Sequence, residues 1–210
     1  MKKTRLLAVL VAAVIVVAGA LSVPLAVSVA AGAGGAVVVI DAGHGGIDGG
    51  VTGSASGVKE SELNLALARV LAEYVEAGGM RAVMTRKSSA GLYRATDSNK
   101  KRADMQRRVE IVREAAPVAV VSIHMNTFSS PSRRGAQVFF DAGSEKGRAL
   151  AELVQDELNR TFNVPDTGRE FSALAAEKYL LQNSPAPAVI VECGFLSNPC
   201  LLYTSDAADD

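Results

Sequence analysis

The chain has 210 residues, 49% of them hydrophobic, with 22 basic side chains against 22 acidic ones. That length suits one ordinary domain with a real core, and the neutral balance gives no electrostatic case for nucleic acid. The two cysteines are too few for a disulfide framework.

The chain opens on "MKKTR", and then no charged residue occurs from Leu6 to Ala33. A basic start followed by a long apolar run reads as an export signal or an uncleaved membrane anchor. Ser28-Val29-Ala30 offers a small-residue cleavage site, while Pro24 argues against a plain buried helix. The expectation is an exported protein acting on the outer side of the membrane, in the periplasm or the cell wall. Residues 1–35 form the leader and residues 36–199 the domain. The last stretch, "CLLYTSDAADD" from Cys200 to Asp210, loses all pattern. It reads as a non-native adaptor read-through, with the true C-terminus missing.

Within the domain, strands and helices alternate. Val37–Asp41 is a short β-branched run, read as a buried strand. Residues 42–58 form a glycine-rich loop. From Glu60 to about Gly78 a helix carries Leu63, Leu67, Val70, Leu71, Tyr74 and Val75 on one face, and Gly78-Gly79 ends it. Arg81–Thr85 reads as a second strand, followed by polar, aperiodic residues 87–103. Asp104 is expected to cap a helix running to about Ala116. Val118–Ile123 and Ala136–Phe140 read as strands, and Ser144–Arg160 as an amphipathic helix. Lys178–Gln182 reads as a short strand and Ala188–Val191 as a buried one. Such alternation predicts an α/β domain: a twisted, mostly parallel sheet with helices on both faces. Cys193, inside an apolar motif, is expected to be a small buried residue.

The polar residues gather at one place in this scheme. His44 lies just past the first strand, His124 follows the third, and Glu192 follows the last, in "AVIVECGF". Glu60 opens the helix that returns from the first strand. Sites in open α/β sheets lie at the carboxyl ends of strands, so four distant segments would meet at one sheet edge. Taken singly, each residue has an ordinary explanation. A histidine after a strand is commonly structural, and a glutamate suits a helix start. A carboxylate ending an apolar strand is costlier to bury. Together, two imidazoles and a carboxylate form a zinc set that leaves a position for water. Zinc lowers the pKa of such a water from about 16 to about 7. The remaining carboxylate is then free to move protons.

Four segments carry a family resemblance: "IDAGHGGIDGG" (Ile40–Gly50), "KESELNLALA" (Lys59–Ala68), "VSIHMN" (Val121–Asn126) and "PAVIVECGFLSNP" (Pro187–Pro199). In these the chain resembles the zinc-dependent N-acetylmuramoyl-L-alanine amidases, with Ala42 where that family usually has proline. The resemblance implies one zinc ion held by His44, Glu60 and His124, with Glu192 as catalytic acid-base residue. Glu62 is the nearby competitor of Glu60. The implied reaction is hydrolysis of the bond between N-acetylmuramic acid and L-alanine in peptidoglycan. Asn126 would orient a ligand or touch substrate. "DSNKKRADMQRRVEIV" (Asp97–Val112) and "KYLLQN" (Lys178–Asn183) look like the germination-specific amidases of spore-formers. There a muramic acid deacetylase acts in the same pathway. The chain is expected to work as a monomer. The alternatives are a non-catalytic wall-binding or regulatory protein of the same fold, and a zinc peptidase cutting within the stem peptide.

Overall fold

The computed structural model describes residues 35–54 and 56–198. The expected leader and the pattern-poor tail lie outside the described residues, except for Gly35. Among the described residues no helix is long and apolar enough to cross a membrane.

A six-stranded sheet has the order β2-β1-β3-β6-β4-β5. Its strands are β1 (Val37–Ala42), β2 (Arg81–Met84), β3 (Ala119–Asn126), β4 (Gln137–Phe140), β5 (Leu174–Ala175) and β6 (Ala188–Phe195). β2, β1, β3 and β6 run parallel, and β4 pairs antiparallel with β6. The helices are α1 (Glu60–Ala77), α2 (Lys100–Ala115), α3 (Glu145–Leu158), α4 (Val164–Thr167) and α5 (Tyr179–Asn183). A π-helical turn at Asn159–Asn163 joins α3 to α4.

Two cores lie on opposite faces of the sheet, and the two-residue period of strands decides which residues enter each. Val38, Ile40, Val121, Ile123, Val189 and Val191 pack with α1 and α3. Val39, Val120 and Ile190 pack with Val109 and Val112 of α2 and with Leu180 and Leu181 of α5. Continuing that second set two residues at a time along β1, β3 and β6 reaches Asp41, Ser122, His124 and Glu192. The pattern that builds the α2/α5 core therefore delivers polar groups to that face at the carboxyl ends of the strands.

Several expected boundaries move. α2 starts at Lys100, and Asn99 caps it by accepting from the Arg102 N–H at 3.0 Å. Asp104 sits one turn inside. The basic first turn, unfavourable to the helix dipole, conceals this start. Lys178–Gln182 does not form a strand: Tyr179–Asn183 is a one-turn helix. In so short an apolar run the periods of helix and strand cannot be told apart. β3 and β6 also run further than their apolar stretches, so His124 and Glu192 lie within strands rather than after them.

Candidate metal centre

The parallel register of β3 and β6 sets His124 directly beside Glu192. His44 comes from the loop after β1, in a left-handed conformation with φ of 62°. Glu60 is the first residue of α1 and only 3% exposed. Its Oε1 lies 3.2 Å from His44 Nε2 and 3.0 Å from His124 Nδ1. The two imidazoles meet edge to face, with ring centroids 4.9 Å apart. One ligand atom from each of His44, Glu60 and His124 lies within 4.8 Å of the others. Glu62 is exposed and outside this group. Two imidazole nitrogens and a carboxylate oxygen so close together fit a borderline-soft divalent ion such as zinc.

The groups around the centre hold its members in place. Glu60 Oε1 also accepts from the Met125 N–H at 3.2 Å, and Oε2 from the Val51 N–H at 2.9 Å. Burial alone would raise the Glu60 carboxyl. Hydrogen bonds from His124, His44 and Val51 outweigh it and hold the pKa far below the ordinary value. Burial lowers the His44 imidazole, but the Glu60 and Asp48 carboxylates prevail and its pKa is raised. Asp48 Oδ2 lies 3.2 Å from His44 Nδ1, which leaves Nε2 to face Glu60. A carboxylate behind a ligating histidine is the usual way its tautomer and ring orientation are set.

Two glycines are required by close approach. A Cβ on Gly43 would fall 2.3 Å from the His124 ring, and one on Gly50 would fall 2.4 Å from Glu60 Oε2. The glycine-rich loop thus makes room for two of the candidate ligands as well as turning the backbone.

Glu192 is half-buried, and its Oε2 is buried without a hydrogen-bond partner among the described residues. Burial raises the pKa of this carboxyl. His124 opposes the shift and the Glu60 charge adds to it. Asn126 lines a groove together with His44, Glu60, His124 and Glu192, and its Oδ1 accepts from the Thr127 N–H at 2.8 Å. Cys193 is buried, and burial pushes its thiol up to about 12, so it is no nucleophile.

Sequence reasoning passed over the scaffold of the His44 loop. Arg108, 1% exposed, bonds Asp41 Oδ1 at 2.5 Å and Asp104 Oδ2 at 2.6 Å. It also donates to the carbonyls of Ala42 and His44. Arg86 donates to the carbonyls of Ala42, Gly43 and Ser61. Burial, with the charge of Arg108, pushes the Arg86 guanidinium down to about 10. Asn64, one helical turn after Glu60, donates to Gly43 O at 3.2 Å and to Glu60 Oε1 at 3.3 Å. The signals were there: Asp41 ends an apolar strand, and Asp48 and Asn64 each stand four residues after a candidate ligand.

Comparison with known proteins places this geometry in context. The family described as N-acetylmuramoyl-L-alanine amidase matches residues 38–201. The germination-specific N-acetylmuramoyl-L-alanine amidase of Bacillus subtilis (strain 168) is 33% identical, over 79% of this chain and 69% of that protein. The CwlD amidase of Clostridioides difficile, solved in complex with the GerS lipoprotein, superimposes with a TM-score of 0.74 at 31% identity. That match covers 80% of this chain and 86% of CwlD. The amidase AmiC2 of Nostoc punctiforme superimposes with a TM-score of 0.64 at 28% identity, covering 81% of this chain and 86% of that one.

Proposed function

Because the chain belongs to the N-acetylmuramoyl-L-alanine amidase family, in which zinc dependence is general, we propose that His44, Glu60 and His124 hold one zinc ion and that Glu192 moves the protons. The reaction is hydrolysis of the amide bond between N-acetylmuramic acid and L-alanine in peptidoglycan.

Zinc in that set would supply Lewis-acid chemistry, making water acidic near pH 7 and drawing charge from the carbonyl oxygen. The chain's own residues do the rest. Glu60, buried and charged, would contribute an anionic oxygen between the two imidazoles. Asp48 holds His44 by its far nitrogen. Glu192 Oε2 takes a proton from the attacking water as its oxygen bonds to the lactyl carbonyl carbon. The same carboxyl returns the proton to the alanine nitrogen as the C–N bond breaks. The products are a muramic carboxylate and a free peptide amine. The observation that carries this reading is the buried Glu192 Oε2, without a hydrogen-bond partner among the described residues, on the strand position beside His124.

The proposal extends to the setting. Cell-wall amidases are extracytoplasmic, which supports residues 1–35 as an export signal or anchor and residues 36–199 as the catalytic domain. The name of the Bacillus relative, a germination-specific amidase, supports a role in spore germination; the proposal adds a muramic acid deacetylase acting in the same pathway and a chain that works as a monomer. Mass spectrometry of products from purified muropeptides is the test. Release of a stem peptide with a free L-alanine amine is expected. Cleavage within the stem would mean a peptidase, and binding without any cleavage a wall-binding protein.

A further inference from the structure

A groove of about 800 Å³ includes the candidate metal centre. Its walls include the first turn of α2 and the residues opening α5, the two segments that sequence reading set apart for their subgroup likeness. They bring Lys100, Lys101 and Lys178 to the groove, beside the ion-paired Arg108. Lys101 has an anionic partner, Asp48, at 3.4 Å. Lys100 and Lys178 form no ion pair among the described residues. Lys100 instead lies over the Tyr93 ring, 5.6 Å from its centroid. That ring is itself anchored, its hydroxyl accepting from the Ile47 N–H at 2.8 Å. The Lys178 charge is felt at Glu192, whose pKa it lowers against the larger effect of burial.

Of the anions of the groove, Glu192 keeps for the reaction an oxygen unpartnered among the described residues, and the others are engaged. Asp41 and Asp104 serve Arg108, Asp48 serves His44 and Lys101, and Glu60 serves the two imidazoles. Lys100 and Lys178 are thus groove cations with no ion pair among the described residues, Lys178 on the side of Glu192. In the substrate, the muramic carboxyl is consumed in the scissile amide and the sugars are uncharged. The anions that remain are carboxylates of the peptide. The nearest is the α-carboxylate of the D-glutamate that follows L-alanine, left free because the peptide continues through the γ-carboxyl.

We propose that Lys100 and Lys178 form a subsite for the free carboxylates of the stem peptide, which sets the peptide on the α2/α5 side of the groove and makes the enzyme selective for acidic over amidated stems. This rests on the amidase reading. It adds a specificity that zinc and Glu192 do not supply.

The test uses the zinc-loaded full chain and two synthetic muramyl peptides that differ only in the D-glutamate α-carboxyl, as free acid or primary amide. Wild type should favour the acid by roughly 10-fold in kcat/KM. Each of Lys100→Gln and Lys178→Gln should cut that ratio by about 2- to 5-fold, as expected for a partly exposed charge pair. Lys100→Arg and Lys178→Arg should largely keep it. Lys146→Gln, on α3 outside the groove lining, should leave it unchanged. Calorimetric binding of the dipeptides L-Ala–D-glutamate and L-Ala–D-isoglutamine, each blocked as the γ-methylamide, reads the same preference without turnover. If neither muramyl peptide is cut while the acid dipeptide still binds better through these lysines, the subsite stands and the amidase reading falls. Equal binding and turnover of acid and amide by wild type would overturn the subsite. So would lysine variants that lower both substrates equally.

Discussion

Arg108 Nη2 donates a 2.6 Å hydrogen bond to the carbonyl of His44, 64 residues earlier in the chain. Helix α2 thereby reaches across the sheet edge and grips the backbone of a candidate metal ligand. His44 occupies the left-handed region, φ 62°, where a side-chain-bearing residue costs roughly 1–2 kcal/mol. Arg108 and Arg86 take up the carbonyls on either side of Gly43, and that makes the strained turn the stable one.

Removing the grip should be expensive. Arg108→Met would leave Asp41 and Asp104 without their shared cation in a buried place. A loss of about 3–5 kcal/mol is expected, read from denaturant unfolding of the metal-free protein. A loss below about 1 kcal/mol would mean that the two carboxylates find other partners.

Asp41 gives the stability a pH dependence. Burial would raise its carboxyl, but Arg108, Ser122 and Thr85 outweigh burial and lower it from 3.8 to about 2. The group is thus more acidic folded than unfolded. Its contribution, on the order of 2 kcal/mol, is complete above about pH 4 and is lost as pH falls through the folded value near 2. Unfolding free energy of wild type measured from pH 6 to pH 2 should show this loss. In Asp41→Asn that part of the slope should be missing, with stability already lower at pH 6.

Gly43 offers a sharper probe of the centre. A Cβ there would lie 2.3 Å from the His124 ring, so Gly43→Ala must displace the imidazole. The protein should remain folded while zinc affinity falls about 10-fold or more, as for other disturbances of ligand orientation. Competition with a chromogenic chelator measures it. Unchanged affinity would remove His124 from the ligand set.

Much of this arrangement is legible in residues 37–199, for a physical reason. A run such as Val118–Ile123 must be buried, and the residue that ends it must lie at a sheet edge. Hence His44, His124 and Glu192 can be placed together before any coordinates are known. The contacts of Arg108 and Arg86 are not legible in this way. They are long side chains that bond backbone carbonyls far away in sequence, and carbonyls leave no mark on composition. The N-terminus of α2 is hidden because "NKKR" at Asn99–Arg102 looks like a solvated loop. The short helix at Tyr179–Asn183 is decided by its packing against β6 rather than by its own propensity.

Asp48 and the ligands separate orientation from ligation. His44→Ala and His124→Ala should each lower bound zinc well below one per chain after dialysis. Asp48→Asn should keep near-full zinc loading at saturating metal but with roughly 10-fold weaker affinity, because Nε2 remains while its partner is less basic. Metal analysis by mass spectrometry distinguishes the two. Full zinc in His44→Ala would refute the assignment.

The most direct measurement is made on Glu192→Gln, with zinc content, melting temperature and turnover of muropeptide read from one preparation. The substitution keeps size and shape but can no longer accept the proton of the attacking water. Zinc should remain near one per chain and the melting temperature near that of wild type, while turnover falls by about 10²- to 10⁴-fold. A variant that folds, holds its zinc and still releases the stem peptide at close to the wild-type rate would contradict the account.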